Sequence, residues 1–181
     1  MKPPTLETKR LTLRPWTTED LSAFEQISND PDVADFTSSF VYPQPQGWAQ
    51  ERLERMTARF GDDHYAFAVL WRETLEIVAE VSIGLEPKRA RGELGYMCDQ
   101  NWRGRGIVPE AVQALNAWAF TNLELNRIQA CHFPRNPASG RVLEKAGFQR
   151  EGVLRGYLVK NGVSEDVIMY GITRGDQTGL Q

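Results

Sequence analysis

An apolar run, Leu94-Gly95-Tyr96-Met97-Cys98, is joined to an amphipathic helix by Gln100-Asn101-Trp102-Arg103-Gly104-Arg105-Gly106, and Ile107-Val108-Pro109-Glu110-Ala111 follows. No other stretch restricts the fold as much. Two glycines one residue apart let the backbone turn tightly and come close to a ligand, since neither has a Cβ in the way. The helix beyond them leaves its first N–H groups unpaired and carries partial positive charge at that end. Arg103 and Arg105 add charge beside it, so the turn has the makings of a phosphate site. The chemistry implied is capture of a phosphorylated cofactor on the backbone from Arg103 through Gly104, Arg105, Gly106 and Ile107 to Val108.

Two nucleotide motifs compete for this loop and fit it badly. A dinucleotide fingerprint needs a third glycine where Pro109 stands. It also needs an acidic residue closing the next strand, but Ile128–Phe133 runs into Pro134-Arg135. A P-loop needs Gly-Lys-Ser/Thr, which is absent. The loop instead resembles the pyrophosphate loop of the GNAT superfamily of acyl-CoA-dependent N-acyltransferases, Q/R-x-x-G-x-G/A. Gly104 and Gly106 match its glycines, and Asn101 stands where Gln or Arg is usual.

A second match follows in the family's order. Asn136-Pro137-Ala138-Ser139 leads through Val142 and Leu143 to Lys145-Ala146-Gly147-Phe148 and resembles the segment N-x-x-[AS]-…-K-x-G-F. Read as structure alone, Asn136 is a helix N-cap with Pro137 preset behind it. Ala138, Val142 and Ala146 form an i, i+4, i+8 stripe, and Gly147 suits a left-handed C′ position. The chain opening, Leu6-Glu7-Thr8-Lys9-Arg10-Leu11-Thr12-Leu13-Arg14-Pro15 and then Glu19-Asp20-Leu21, is similar to that of the Rim-type branch, the ribosomal-protein N-terminal acetyltransferases and their relatives. Lys160-Asn161-Gly162 with Asp166 and Tyr170 is similar to that branch's closing hairpin. The resemblance runs over residues 5 to 173 and is weakest between 30 and 75.

With 181 residues, one domain spanning 1–181 is expected, large enough to bury a real core. The net charge of −3 gives no reason to expect nucleic-acid binding. The basic run Lys88-Arg89-Ala90-Arg91 reads as a solvated hairpin loop. Cys98 and Cys131 sit in strand-like runs and read as buried free thiols, which points to a reducing cytoplasm. Met1-Lys2-Pro3-Pro4 leads straight into a strand, with no signal peptide or membrane span expected. With two histidines and no H-E-x-x-H or paired C-x-x-C, no metal site is expected. His64 and His132 read as structural.

Hydrophobic periodicity predicts the elements. Leu11 and Leu13 mark a first strand, and Thr17 to Asp20 cap a helix carrying Leu21, Phe24 and Ile27. An irregular stretch runs from Asn29-Asp30-Pro31 to Tyr42-Pro43-Gln44-Pro45. A second helix then carries Ala49, Leu53, Met56 and Phe60. Strand runs 65–71, 75–85 and 93–98 follow, then a helix over 108–123, a strand over 128–133 and a helix over 137–146. A hairpin of 153–159 and 163–172 turns at Asn161-Gly162. The order β-α-α-β-β-β-α-β-α-β-β makes an α/β fold with a mixed, mostly antiparallel central sheet and helices on both faces. In the GNAT fold that this resembles, two strands splay apart to hold acyl-CoA.

The resemblance implies an acetyl-CoA-dependent N-acetyltransferase that moves an acetyl group directly to a primary amine in a ternary complex. The acceptor would be a protein N-terminus, ribosomal ones among them, or a small amine, and a homodimer is compatible with the family. Backbone N–H groups at Met97-Cys98 would hold the thioester and pantetheine arm. The Asn136 amide would bind pantetheine, and Ser139 would lie near the thiol. Many family members place a tyrosine where this chain has Leu143, so Ser139 becomes the candidate for hydrogen bonding the leaving thiolate, with Tyr157 or water next. Two carboxylates compete as base. Glu93 opens the cofactor strand, and Glu80 lies between Ala79 and Val81, where apolar neighbours would raise its pKa. Rim-type members with a glutamate in the final hairpin have it at the position of Leu158. The missing tyrosine leaves a second reading open, a noncatalytic acyl-CoA-binding or regulatory module.

Overall fold

The computed structural model describes residues 4–176, so Met1, Lys2 and Pro3 of the expected lead-in lie outside the described residues. A short strand β1 (Leu6–Glu7) precedes β2 (Leu11–Pro15). Three helices follow, α1 (Leu21–Ser28), α2 (Pro31–Phe36) and α3 (Trp48–Ala58). Then come β3 (His64–Trp71), β4 (Ile77–Glu86), β5 (Arg91–Cys98), α4 (Ile107–Asn122), β6 (Arg127–His132) and α5 (Pro137–Lys145). The chain closes with the hairpin β7 (Gln149–Lys160) and β8 (Val163–Thr173). The strands form one eight-stranded sheet in the order β1-β2-β3-β4-β5-β6-β8-β7. Every pairing is antiparallel except that between β5 and β6. This is the mixed α/β architecture expected from the pattern.

Alternation along the strands assigns the two faces. Val81 and Ile83 of β4 pack with Ile107, Ala111 and Leu115 of α4 in the larger core. Ala66 and Ala68 of β3 and Met97 of β5 pack with Phe24 of α1 and Leu53 of α3 in the smaller one. Glu80 of β4 pairs across the sheet with Ala68 and with Met97, which puts it on the α1–α3 face.

Three expectations change. The stretch after Asn29 is not wholly irregular, because Asp30 Oδ1 accepts hydrogen bonds from the N–H groups of Asp32 and Val33 and starts α2 on Pro31. Phe60 lies beyond the end of α3, stacked edge-on against Tyr65 and Phe67. Leu75 lies in the turn before β4 at φ 60°, outside the strand. The basic run does cap the β4–β5 hairpin, with Ala90 at φ 49°.

The consequential irregularity is between β5 and β6. They pair only at Arg91↔Arg127, Gly92↔Ile128 and Glu93↔Gln129. Beyond that rung β5 bonds to β4 alone and β6 to β8 alone, so the sheet opens into a notch lined by the inner edges of Leu94–Cys98 and Ala130–His132.

Candidate active site

The notch is the centre of a cleft of about 690 Å³ that passes from one face of the sheet to the other. Its wall on the α4–α5 side includes Gly104, Gly106, Ile107, Val108, Asn136, Ser139 and Arg141. The wall on the α1–α3 side includes Arg52, Arg55, Met56, Glu80 and Ser82. Glu93, Met97, Cys98 and Cys131 line the passage between them.

The glycine loop has the geometry its sequence implies. Gly104 and Gly106 stand at φ 78° and 74°, a left-handed conformation that costs glycine little. Gly106 is the N-cap of α4, so the helix's first N–H groups open toward the cleft. A Cβ on Gly104 would meet nothing within 4 Å and would project into open space. The loop's arginines are placed differently from the simple expectation of two free charges. Arg103 lines the cleft, but its guanidinium bonds Asp32 at 2.7 Å and Asp30 at 2.9 Å and its Nε donates to the carbonyl of Cys98 at 3.2 Å. It therefore ties the loop to α2. Arg105 lies over the Trp102 ring at 4.7 Å and is not among the cleft-lining residues.

The loop is also held from a distance. Arg10 donates to the carbonyls of Arg105 at 3.1 Å and Gly106 at 3.3 Å and pairs with Glu110 at 2.7 Å. Thr8 Oγ1 donates to the other Glu110 oxygen at 2.6 Å. Burial pulls the Glu110 carboxyl upward, but these hydrogen bonds outweigh it and hold the group below its ordinary range. Thr8 and Arg10 belong to the opening motif, and nothing in their local sequence signals this role.

Asn136 caps α5, its Oδ1 accepting from the N–H of Ser139 at 3.2 Å. Its amide nitrogen makes no hydrogen bond among the described residues, and the residue lines the cleft. Gly147 follows the helix at φ 91°. The buried residues of α5 are Gly140 and Leu143, continued by Ala146, whereas Ala138 and Val142 face the cleft. Leu143, in place of the family's tyrosine, is wholly buried.

Tyr96 is a candidate site residue that sequence reasoning missed. Its hydroxyl lies 2.6 Å from Ser139 Oγ and 3.2 Å from the Ser139 carbonyl, so its proton has two acceptors on that residue. Burial pushes the Tyr96 hydroxyl well above its ordinary pKa, and it stays protonated. When it donates to Oγ, the serine proton is free to point into the cleft. Tyr157 stands nearly half exposed on β7, outside the cleft lining.

The two carboxylates differ. Glu93 is exposed at the last paired rung of the notch. Glu80 is 6% exposed, and its Oε2 has no hydrogen-bond partner among the described residues. Burial lifts its pKa to about 7, against the pull of Arg52 and Ser82. Cys98 and Cys131 are free and half-buried, and burial raises both thiols to about 11, so neither is a thiolate near neutrality. His132 is buried, its Nδ1 bonded to the Phe133 carbonyl at 2.8 Å, and its Nε2 is where a Cβ on Gly140 would collide. Among the described residues there is no cluster of metal-ligating side chains, and no helix is long and apolar enough to cross a membrane.

A sheet opened between two strands, with a glycine-started helix at one lip and a capped helix at the other, defines the class of acyl-CoA-dependent acyltransferases. The chain belongs to the GNAT acetyltransferase family, matching the acetyltransferase (GNAT) domain over residues 10–149. It is 31% identical to the uncharacterized N-acetyltransferase p20 of Bacillus licheniformis over 177 residues, covering 97% of this chain and 99% of that protein. It is 34% identical over 85 residues to the ribosomal protein uS5-alanine N-acetyltransferase of Escherichia coli, covering 47% of this chain and 44% of that protein. The solved ribosomal-protein-S5-alanine acetyltransferase of Vibrio fischeri superposes with a TM-score of 0.81 at 27% identity, covering 96% of this chain and 98% of that one. The protein is thus an N-acetyltransferase of the GNAT fold.

Proposed function

We propose that the protein transfers an acetyl group from acetyl-CoA to a primary amine by direct attack within a ternary complex. The observation that carries this is the unpaired inner edge of β5, flanked by the α4 N-terminus and the free amide of Asn136. Each of these offers unmet hydrogen-bonding capacity to a ligand with a pyrophosphate at one end and amide groups along its length. Acetyl-CoA supplies an activated acetyl thioester. The loop from Arg103 to Val108 holds its pyrophosphate, Asn136 and the backbone at Met97-Cys98 hold its arm, and Ser139 with Tyr96 donates a hydrogen bond toward the leaving sulfur.

The two faces divide the work. Ser139 and Tyr96 belong to the α4–α5 side, and Glu80 to the α1–α3 side, directly across from Met97. The amine therefore approaches over α1 and α3, and Glu80, directly or through water, takes its proton. A carboxylate with a pKa of about 7 is matched to that task near neutral pH, whereas the exposed Glu93 is the solvated alternative. The cytoplasm, where both thiols stay reduced, is the compartment this reading implies.

Thiol release from acetyl-CoA, measured over a panel of amines, tests the assignment. Amine-dependent release is expected, with Glu80→Gln losing roughly a hundredfold or more in kcat and Glu93→Gln losing little. A folded protein that binds acetyl-CoA but releases thiol with no amine would be the noncatalytic module. The reverse order of the two glutamine variants would make Glu93 the base.

A further inference from the structure

On α3, Arg52 and Arg55 face the acceptor side of the cleft without a carboxylate partner. Arg141 on the α5 wall likewise has no ion-pair partner among the described residues, but other arginines near the cleft are neutralised. Arg103 pairs with Asp30 and Asp32, Arg135 with Asp35 and Glu165, and Arg59 with Asp63. Among the described residues Arg52 has only one hydrogen bond, to Ser39 Oγ at 3.2 Å, and its guanidinium lies 4.2 Å from the Phe40 ring centre and 5.5 Å from that of Trp48. Arg55 has neither a hydrogen bond nor an ion pair with any described residue. Glu80 on that wall lies beyond the 4.0 Å reach of an ion pair with either, and the nearby lining carboxylate Asp32 is taken by Arg103.

This arrangement is costly unless a ligand completes it. A half-buried guanidinium set against two adjoining rings has lost water and conformational freedom, and a second cation beside it adds repulsion. Burial lowers the Arg52 pKa, the Glu80 charge offsets part of that, and Arg55 lowers it again. The ring contacts restrain Arg52, and apart from the bond to Ser39 its N–H groups have no partner among the described residues, a preorganisation that suits a planar oxyanion. We propose that the acceptor is a small amine carrying its own oxyanion, a carboxylate or phosphate that Arg52 and Arg55 receive while the amine lies toward Glu80. The assignment rests on the acetyl-transfer reading above and adds the substrate class to it.

The test compares kcat/KM for thiol release over ω-amino carboxylates from glycine to 5-aminopentanoate, their amides, phosphoethanolamine, spermidine and a tetrapeptide of acidic sequence. At least one acid is expected to exceed its amide by about tenfold or more, as charge-assisted hydrogen bonds allow. Phosphoethanolamine against the carboxylates identifies the oxyanion. Arg55→Gln, at an exposed position where folding is not at stake, should bring the acid-to-amide ratio to within about twofold, and Arg55→Lys should restore part of it. Acids and amides of equal rate, or spermidine as the best acceptor, would overturn the anionic class and leave acetyl transfer standing. Preference for the tetrapeptide over every small amine would overturn the small acceptor. If no amine releases thiol, the acetyl-transfer reading fails instead, and calorimetry with succinate then decides. Binding that Arg55→Gln abolishes sustains the anion site, and no binding by the parent protein removes it.

Discussion

At the residue scale the site turns on hydroxyls that share protons. Ser139 alone is a first-turn serine whose N–H completes the Asn136 cap, and such a serine need have no chemistry. Its contact with Tyr96 changes that, because a part-buried, protonated tyrosine 2.6 Å away can donate to Oγ, and in that orientation the serine proton is free for the cleft. Leu143 cannot substitute, being apolar and wholly buried. Ser139→Ala should therefore lower kcat and kcat/KM together by roughly ten- to a hundredfold, as for one hydrogen bond to a charged group, with acetyl-CoA affinity little changed. Tyr96→Phe should lower kcat by a smaller factor, and the double variant should fall short of the product of the two, since the groups act as one unit. Steady-state kinetics of the three proteins checks this. Turnover within about twofold of the parent in Ser139→Ala would remove the pair from the mechanism.

At the scale of elements, the cofactor loop is an assembly of three pieces of chain. The β5–α4 turn supplies the backbone, α2 anchors it through Arg103, and the segment before β2 clasps it through Arg10. Arg10 touches the outer side of the loop, taking the Arg105 and Gly106 carbonyls and so keeping the peptide plane whose N–H groups face the cleft. Arg10→Met would remove those hydrogen bonds and leave Glu110 with Thr8 and a backbone N–H alone. The expected result is roughly tenfold weaker acetyl-CoA binding by calorimetry with only about 1–2 kcal/mol lost in stability, the scale of one part-exposed charged network. Arg10→Lys should recover the ion pair but not the two-carbonyl fork, and so only part of the affinity. Unchanged binding in Arg10→Met would show that the glycines hold the loop without help.

Across the whole molecule, the local cues were readable and the distant ones were not. The left-handed glycines, the Asn136 cap, the Gly147 stop and the alternation of β3, β4 and β5 each depend on neighbours within a few residues, and sequence inspection finds them. The Tyr96–Ser139 contact spans 43 residues and the Arg10–Gly106 contact 96, and no periodicity encodes either. The six residues of α2 are too few for a helical stripe to show. Glu80 falls between these cases. Its apolar neighbours were visible in sequence, but burial against α1 and α3 is what makes the charge expensive, and that has a consequence for global stability. The unfolded carboxyl titrates near 4.5 and the folded one at about 7, so between those values the folded state holds the extra proton. Stability from this group is fully present below the unfolded pKa and is lost as pH rises through the folded one, about 3 kcal/mol in all. Glu151 beside Arg127 and Asp63 beside Arg59 are held below the ordinary carboxylate range, so their contributions are lost at more acid pH, outside this window. Denaturant melts of the parent and Glu80→Gln at pH 5 and pH 8 isolate the effect. The variant should gain about 2.5 kcal/mol relative to the parent between the two, since a part of the effect is already lost at pH 5, whatever fixed offset its buried amide introduces. A constant difference across that range would mean that Glu80 is ionised in the folded protein at pH 5, and a base of that kind would no longer be tuned to neutral pH.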